Sequence, residues 1–139
     1  DVYGEFPVVE TPKGEYNGEE IDGVYSNGAW YRSPQKTPSS VALQPSDIYE
    51  IKGDSVIYLI YDVSEYDLIL NPNDGSHKYK YIHAKYGDAI AAPVDHKREG
   101  YTFDGWWTTE DFQEGTKFIF NTMPCINLLL WAKWVKNEE

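Results

Sequence analysis

Residues 100–107, Gly100-Tyr101-Thr102-Phe103-Asp104-Gly105-Trp106-Trp107, constrain the fold of this chain more than any other stretch. A ring falls at nearly every second position, and a period near two belongs to a strand rather than to a helix. Glycines at 100 and 105 require that strand to bend, or to admit another backbone closely. Its rings need a covering surface. The closing stretch 126–134 offers one, with Ile126, Leu128, Leu130 and Ala132 on a single face.

Composition extends the same expectation to the whole chain. Among 139 residues there are 12 Tyr and 5 Trp but only one Met, so amphipathic rings supply much of the apolar area. Rings of that kind suit sheets. Eleven Gly and eight Pro are scattered throughout, as many short strands and turns require. We assign Tyr101, Phe103, Gly105, Trp106, Leu128, Leu130 and Trp134 to a structural core motif. Full burial of such a side chain contributes about 1.5–3 kcal/mol, which a unit of about 70 residues needs in order to close a core. The expected fold class is mainly β, of the α+β kind.

Three segments are expected. Residues 1–20 read as an acidic arm or linker with one edge strand at 6–10. Residues 21–64 read as a small β-rich module: a strand at 24–31, a Ser/Pro loop at 33–40, and a hairpin of 47–51 with 55–63 around Gly53-Asp54. Residues 65–136 begin with alternating strands at 66–70 and 77–83, joined by the Asn71-Pro72-Asn73-Asp74-Gly75 turn. One or two helical turns at 108–114 and strands at 117–120 and 126–134 complete them. Charge separates the halves: residues 1–65 carry 12 acidic and 4 basic residues, net −8, and residues 66–139 carry 11 and 8, net −3.

The net charge of −11 repels nucleic acid and anionic lipid, so neither is expected as a partner. The longest apolar run, around 56–61, is far too short to cross a bilayer, and no membrane insertion is expected. Cys125 is the single cysteine, which leaves no intrachain disulfide and no cysteine-rich metal site. The chain starts at Asp1 rather than Met and is expected to be a piece of a longer protein.

Several motifs coincide in order and spacing. They are Tyr66-Asp67-Leu68-Ile69-Leu70-Asn71 with its turn, Tyr86-Gly87-Asp88 followed by Pro93, and Arg98-Glu99-Gly100-Tyr101-Thr102-Phe103-Asp104-Gly105-Trp106-Trp107. After them come Phe118 and Phe120, Thr122-Met123-Pro124, and Leu128-Leu129-Leu130-Trp131-Ala132-Lys133-Trp134. The series resembles the Listeria–Bacteroides repeat, the internalin B-repeat family. It departs from the pattern at Asn73-Asp74-Gly75, at Trp107 and at Trp131, and each departure keeps turn or aromatic character. The resemblance implies a β-grasp-like module over 66–135 and a secreted or cell-surface location in a bacterium. It also implies neighbouring repeat modules as partners, with host protein or glycan beside them, a stalk, spacer or adhesive role, and no enzymatic activity.

No chemical constellation competes with that reading. His77 and His83, if both on one strand, are about 20 Å apart, too far for one metal. Asn71-x-Asn73-Asp74-Gly75 has the opening of a calcium loop but lacks the Glu that closes it. Neighbouring carboxylates such as Glu110-Asp111 do not face one another across a cleft, as a glycosidase requires. No catalytic residue, metal or cofactor is therefore expected. The alternative is a carbohydrate-binding module in which exposed Trp30, Tyr31 and Trp107 stack on sugars.

Overall fold

The computed structural model describes residues 5–50, 53–94 and 96–138. Nearly all its regular structure is strand: β1 (Gly14–Tyr16), β2 (Glu19–Ile21), β3 (Tyr25–Tyr31), β4 (Tyr58–Val63), β5 (Glu65–Asn71), β6 (Lys80–Lys85), β7 (Tyr101–Trp107) and β8 (Leu128–Lys136), with one short helix, α1 (Pro45–Glu50). The fold is mainly β, as the sequence implies. The chain divides into two compact units, Asp1–Gly14 with Glu20–Ser64 and Glu15–Glu19 with Glu65–Glu139.

Strands β1 and β2 form a tight hairpin across position 20, within what the sequence offered as a linker. Asn17 and Gly18 both take positive φ, 51° and 82°, as a two-residue hairpin turn requires. Residues 6–10 hold no strand.

In the first unit β3 pairs antiparallel with β4, with an irregularity between Ser26 and Ala29. The expected hairpin of 47–51 with 55–63 is not formed. Ile51 lies outside the described residues, and Pro45–Glu50 is helical. The reason is local. Pro45 stands at the first helical position, where its fixed φ suits a helix and its missing N–H costs nothing. The Asp47 carboxylate reaches back to accept the Gln44 N–H at 2.6 Å, which is half of a capping box. Val24, Tyr31 and Leu43 are the buried apolar residues here.

The second unit is a mixed four-stranded sheet in the order β6-β5-β8-β7. Its first and last strands, β5 and β8, lie parallel at the centre, with Leu68 opposite Leu128 and Leu70 opposite Leu130. Antiparallel neighbours close both sides. That is the β-grasp strand order. Leu68, Leu70, Trp106, Met123, Leu130 and Ala132 form its core, and Phe103, Leu128 and Trp134 are among the rings and chains packed against it.

A bulge decides which rings of β7 face inward. Phe103 pairs with Trp134 and Trp106 with Ala132, so Asp104 and Gly105 together oppose Lys133 alone. Simple alternation would put Phe103 and Trp106 on opposite faces. The extra residue brings them together, with centroids 5.5 Å apart in an edge-to-face pair. Gly105 makes this possible by adopting φ +93°, and a Cβ there would also meet the flexible end of Lys117. Gly105→Ala should destabilise the second unit by about 1–3 kcal/mol, read as a lower urea midpoint. A neutral result would mean that the bulge tolerates an ordinary side chain.

Two other expectations give way. Residues 108–114 form turns rather than a helix, and 117–120 contribute one isolated bridge, Lys117 to Trp107, rather than a strand. Thr109 explains the first: its hydroxyl accepts the Gln113 N–H at 2.9 Å and so competes with helical bonding.

Candidate functional site

The three aromatic residues singled out for binding fall in separate settings. Trp30 and Tyr31 lie on β3 of the first unit, and Trp107 lies on β7 of the second. Tyr31 is 7% exposed, which corrects its reading as an exposed sugar platform: its ring fills the small core of the first unit. Trp30 is half-buried, and Phe6 stacks on it at 6.0 Å with the ring planes nearly parallel. Beside it a cavity of about 190 Å³ is lined by Trp30, Gly28, Leu59, Tyr61 and the 7–11 stretch.

Trp107 is held by polar neighbours. Its indole N–H donates to the Asp104 carbonyl at 2.8 Å, and the Lys133 ammonium lies 4.9 Å from the ring centroid. Asp104 in turn faces Lys117 at 3.7 Å and Lys133 at 3.6 Å. A cation over a ring face is attractive by about 0.5–1 kcal/mol at an exposed site, so this ring face already carries a cation.

The core motif falls in the second unit. Trp106 is 4% and Leu130 0% exposed, Phe103, Leu128 and Trp134 pack against them, and Gly105 sits in the bulge. Tyr101 lies at the start of β7 and carries the Arg98 guanidinium 3.9 Å over its ring. Trp134 is fixed by its indole N–H, which donates to the Pro72 carbonyl at 2.7 Å across 62 positions of sequence.

Of the histidines, His96 packs its ring on Phe103 with centroids 3.7 Å apart, and His83 is held by two carboxylates. On β6 opposite Asp67 of β5, its Nδ1 lies 2.6 Å from the Asp67 carboxylate and its Nε2 3.1 Å from Glu65. His77 lies outside β6, at φ 58°. Hydrogen bonds donated to the Asp67 and then the Glu65 carboxylate raise the His83 pKa above its ordinary value. The clamp therefore adds stability while the ring is charged, fully below the unfolded value of about 6.5, and loses it as pH rises through the raised folded value. Accordingly, the melting-temperature difference between the wild type and His83→Gln should be larger near pH 6 than near pH 9. A difference that does not change with pH would show the clamp to be electrostatically idle.

Cys125 is 3% exposed, and burial pushes its thiol pKa up, away from the reactive thiolate. Among the described residues no three His, Cys, Asp or Glu side chains are grouped to hold a metal, and no helix is long and apolar enough to cross a membrane.

Sequence reading missed one feature altogether. A cavity of about 160 Å³ in the second unit brings together Leu70, Trp106 and Trp134 with Lys78, Lys80 and Lys97. These residues lie on four separate stretches of chain, so no local motif announces the cavity.

Comparison with known families places this geometry. Residues 66–133 match the family model of the Listeria-Bacteroides repeat domain. The second unit carries a Listeria–Bacteroides repeat domain. The match starts just inside β5 and ends in β8, so the repeat domain takes in the whole four-stranded sheet. Relatives extend the likeness. Over 140 residues the chain is 26% identical to an Evansella cellulosilytica protein named a Gly-rich membrane protein, an overlap of 97% of this chain and 16% of that one. A second protein of that organism, named a membrane protein, is 30% identical over 88 residues, covering 63% of this chain and 13% of that one. Internalin H of Listeria monocytogenes is 38% identical over 56 residues, covering 39% and 10%. The chain thus spans about a sixth, or less, of the length of these relatives.

Proposed function

We propose that this chain is a non-enzymatic modular segment of a bacterial cell-surface protein, a stalk or spacer unit that also presents surface for adhesion or host contact. The observation that carries this reading is where the repeat-domain motifs are used. The Tyr86-Gly87 turn and the Thr122-Met123-Pro124 stretch are joined by backbone hydrogen bonds, Gly87 N–H to Met123 O at 2.9 Å and Met123 N–H to Asp88 O at 2.8 Å. The Gly105-Trp106 and Leu128–Lys136 motifs build the bulge, the core and the central strand. Motifs spent on folding serve a unit whose task is to hold its shape between neighbours. The names of the Evansella relatives support a place in the cell envelope, and neighbouring repeat modules are the partners this reading favours.

The test is to replace the segment in its parent protein with an unrelated folded unit of equal length. A spacer predicts that surface display and contact are retained. Loss of contact despite restored length would overturn the spacer role and leave adhesion. We also infer that 65–136 folds independently of the acidic 1–20 and β-rich 21–64 segments. A single protease-resistant fragment with a cooperative melt is the expected result, and a chain that melts only as a whole would refute it.

A second reading, carbohydrate binding, is favoured by Trp30 in the wall of its 190 Å³ cavity. Exposed rings mark interaction sites without naming the ligand. Glycan-array binding abolished by Trp30→Ala would establish it. Binding that survives that change, or no binding, would remove Trp30 as a sugar platform.

A further inference from the structure

This chain carries a net charge of −11, yet the 160 Å³ cavity of its second unit gathers cations. Leu70 of β5, Trp106 of β7 and Trp134 of β8 form apolar walls, and the exposed Lys78, Lys80 and Lys97 line the cavity beside Pro72, Ser76 and His96, whose ring packs on Phe103 with centroids 3.7 Å apart. Among the described residues none of these three lysines is in an ion pair, whereas Lys13, Lys36, Lys117 and Lys133 all are. Among the described residues one carboxylate, Asp74, also lines the cavity. It accepts the Ser76 N–H at 2.9 Å, and the Ser76 hydrogen bonds, with help from Arg98, lower its pKa, so it stays ionised. Among the described residues, three lysines thus share the lining with one carboxylate that is already hydrogen-bonded.

The Nε1–H of Trp106 is buried and has no hydrogen-bond partner among the described residues. The equivalent group of Trp134 donates to Pro72 O. Apolar indole walls with a few convergent polar groups are the usual make-up of a small-molecule site.

We propose that this cavity binds a small organic acid, a single carboxylate carried on a flat body the size of one ring, with Lys78, Lys80 and Lys97 facing the carboxylate and Trp106 and Trp134 flanking the body. The lysines supply long-range attraction against the negative field of the rest of the chain, and the indoles supply the contact area. This site is independent of the spacer reading, since its three lysines take no part in the core.

The test is a titration of the full chain, following the indole N–H signals of Trp106 and Trp134 by two-dimensional NMR. The probes are benzoate, its neutral counterpart benzamide, and glucuronate. Benzoate should shift both indole signals saturably, with a midpoint on the order of millimolar for so small a ligand. Benzamide should bind more weakly by about tenfold or more. Each of Lys78→Gln, Lys80→Gln and Lys97→Gln should weaken benzoate about two- to fivefold, the range of an exposed ion pair, without moving the melting temperature. Glucuronate, a carboxylate on a puckered ring, should bind more weakly than benzoate, and tighter binding would overturn the flat-body assignment. The proposal is overturned if the indole signals do not saturate, if benzamide matches benzoate, or if all three single lysine variants bind benzoate as the wild type does.

Discussion

Trp106→Ala should destabilise the second unit by about 3–5 kcal/mol, the range for a buried Trp or Phe truncated to Ala. Trp106 is 4% exposed and stands opposite Ala132, whose side chain is itself fully buried. The pair is complementary: the smallest apolar side chain on β8 leaves the space that the largest on β7 fills. Truncation empties that space on both sides. Domains of this size are stable by only about 5–15 kcal/mol, so the variant should sit close to unfolding at room temperature. Urea titration followed by far-UV circular dichroism measures it without depending on the lost fluorophore. Trp107→Ala supplies the contrast one residue along. That ring is half-buried beneath Lys133 and outside the core cluster, so the expected loss is about 1 kcal/mol. Equal losses at the two positions would mean that the bulge does not sort these rings as described.

Met123→Ala is expected to cost about 2–5 kcal/mol, and Met123→Leu less than about 1.5 kcal/mol because volume is conserved. Met123 is 0% exposed although it lies outside every strand. Its backbone is held by the hydrogen bonds to Gly87 and Asp88, and Ile90 N–H donates to Asn121 O at 3.1 Å on the same edge. Truncation removes the side chain and leaves those bonds in place, so the measured loss reports packing rather than pairing. Met can fill irregular gaps between sheet and loop because it is unbranched and flexible. A loss below about 1 kcal/mol for the alanine variant would show that the loop collapses into the vacated space. Chemical denaturation of the two variants side by side decides between these outcomes.

Some of this was legible in the linear chain. Strands β3, β5, β7 and β8 announced themselves through β-branched and aromatic residues in short runs bounded by turn formers, signals that act over a few residues. The Asn17-Gly18 hairpin turn was equally local, yet it lay in a stretch read as linker because its composition is acidic and rich in glycine. Helix α1 was misread as a strand. Pro45 and Asp47 carry the start signal of a helix, and the apolar run that follows Gly53 drew attention to a hairpin instead. Among the aromatics, the sequence alone leaves Tyr31 open to solvent, because a ring's facing depends on which strand pairs with it and in which register. That partner, Tyr58, is 27 positions away.

What the sequence by itself determined is the class of the fold and the identity of the repeat. Period-two aromatics, frequent turns and ordered motifs of the Listeria–Bacteroides repeat domain follow from local geometry, and local geometry is written in adjacent residues. What only the tertiary structure decided is which faces those rings take and what gathers beside them. A one-residue bulge at Asp104-Gly105 turns Phe103 and Trp106 to the same side, and the parallel pairing of β5 with β8 brings Leu70 and Trp134 to one cavity with Lys78, Lys80 and Lys97. Neither can be read along the chain, because both depend on pairings between residues tens of positions apart, and those form only when the core closes.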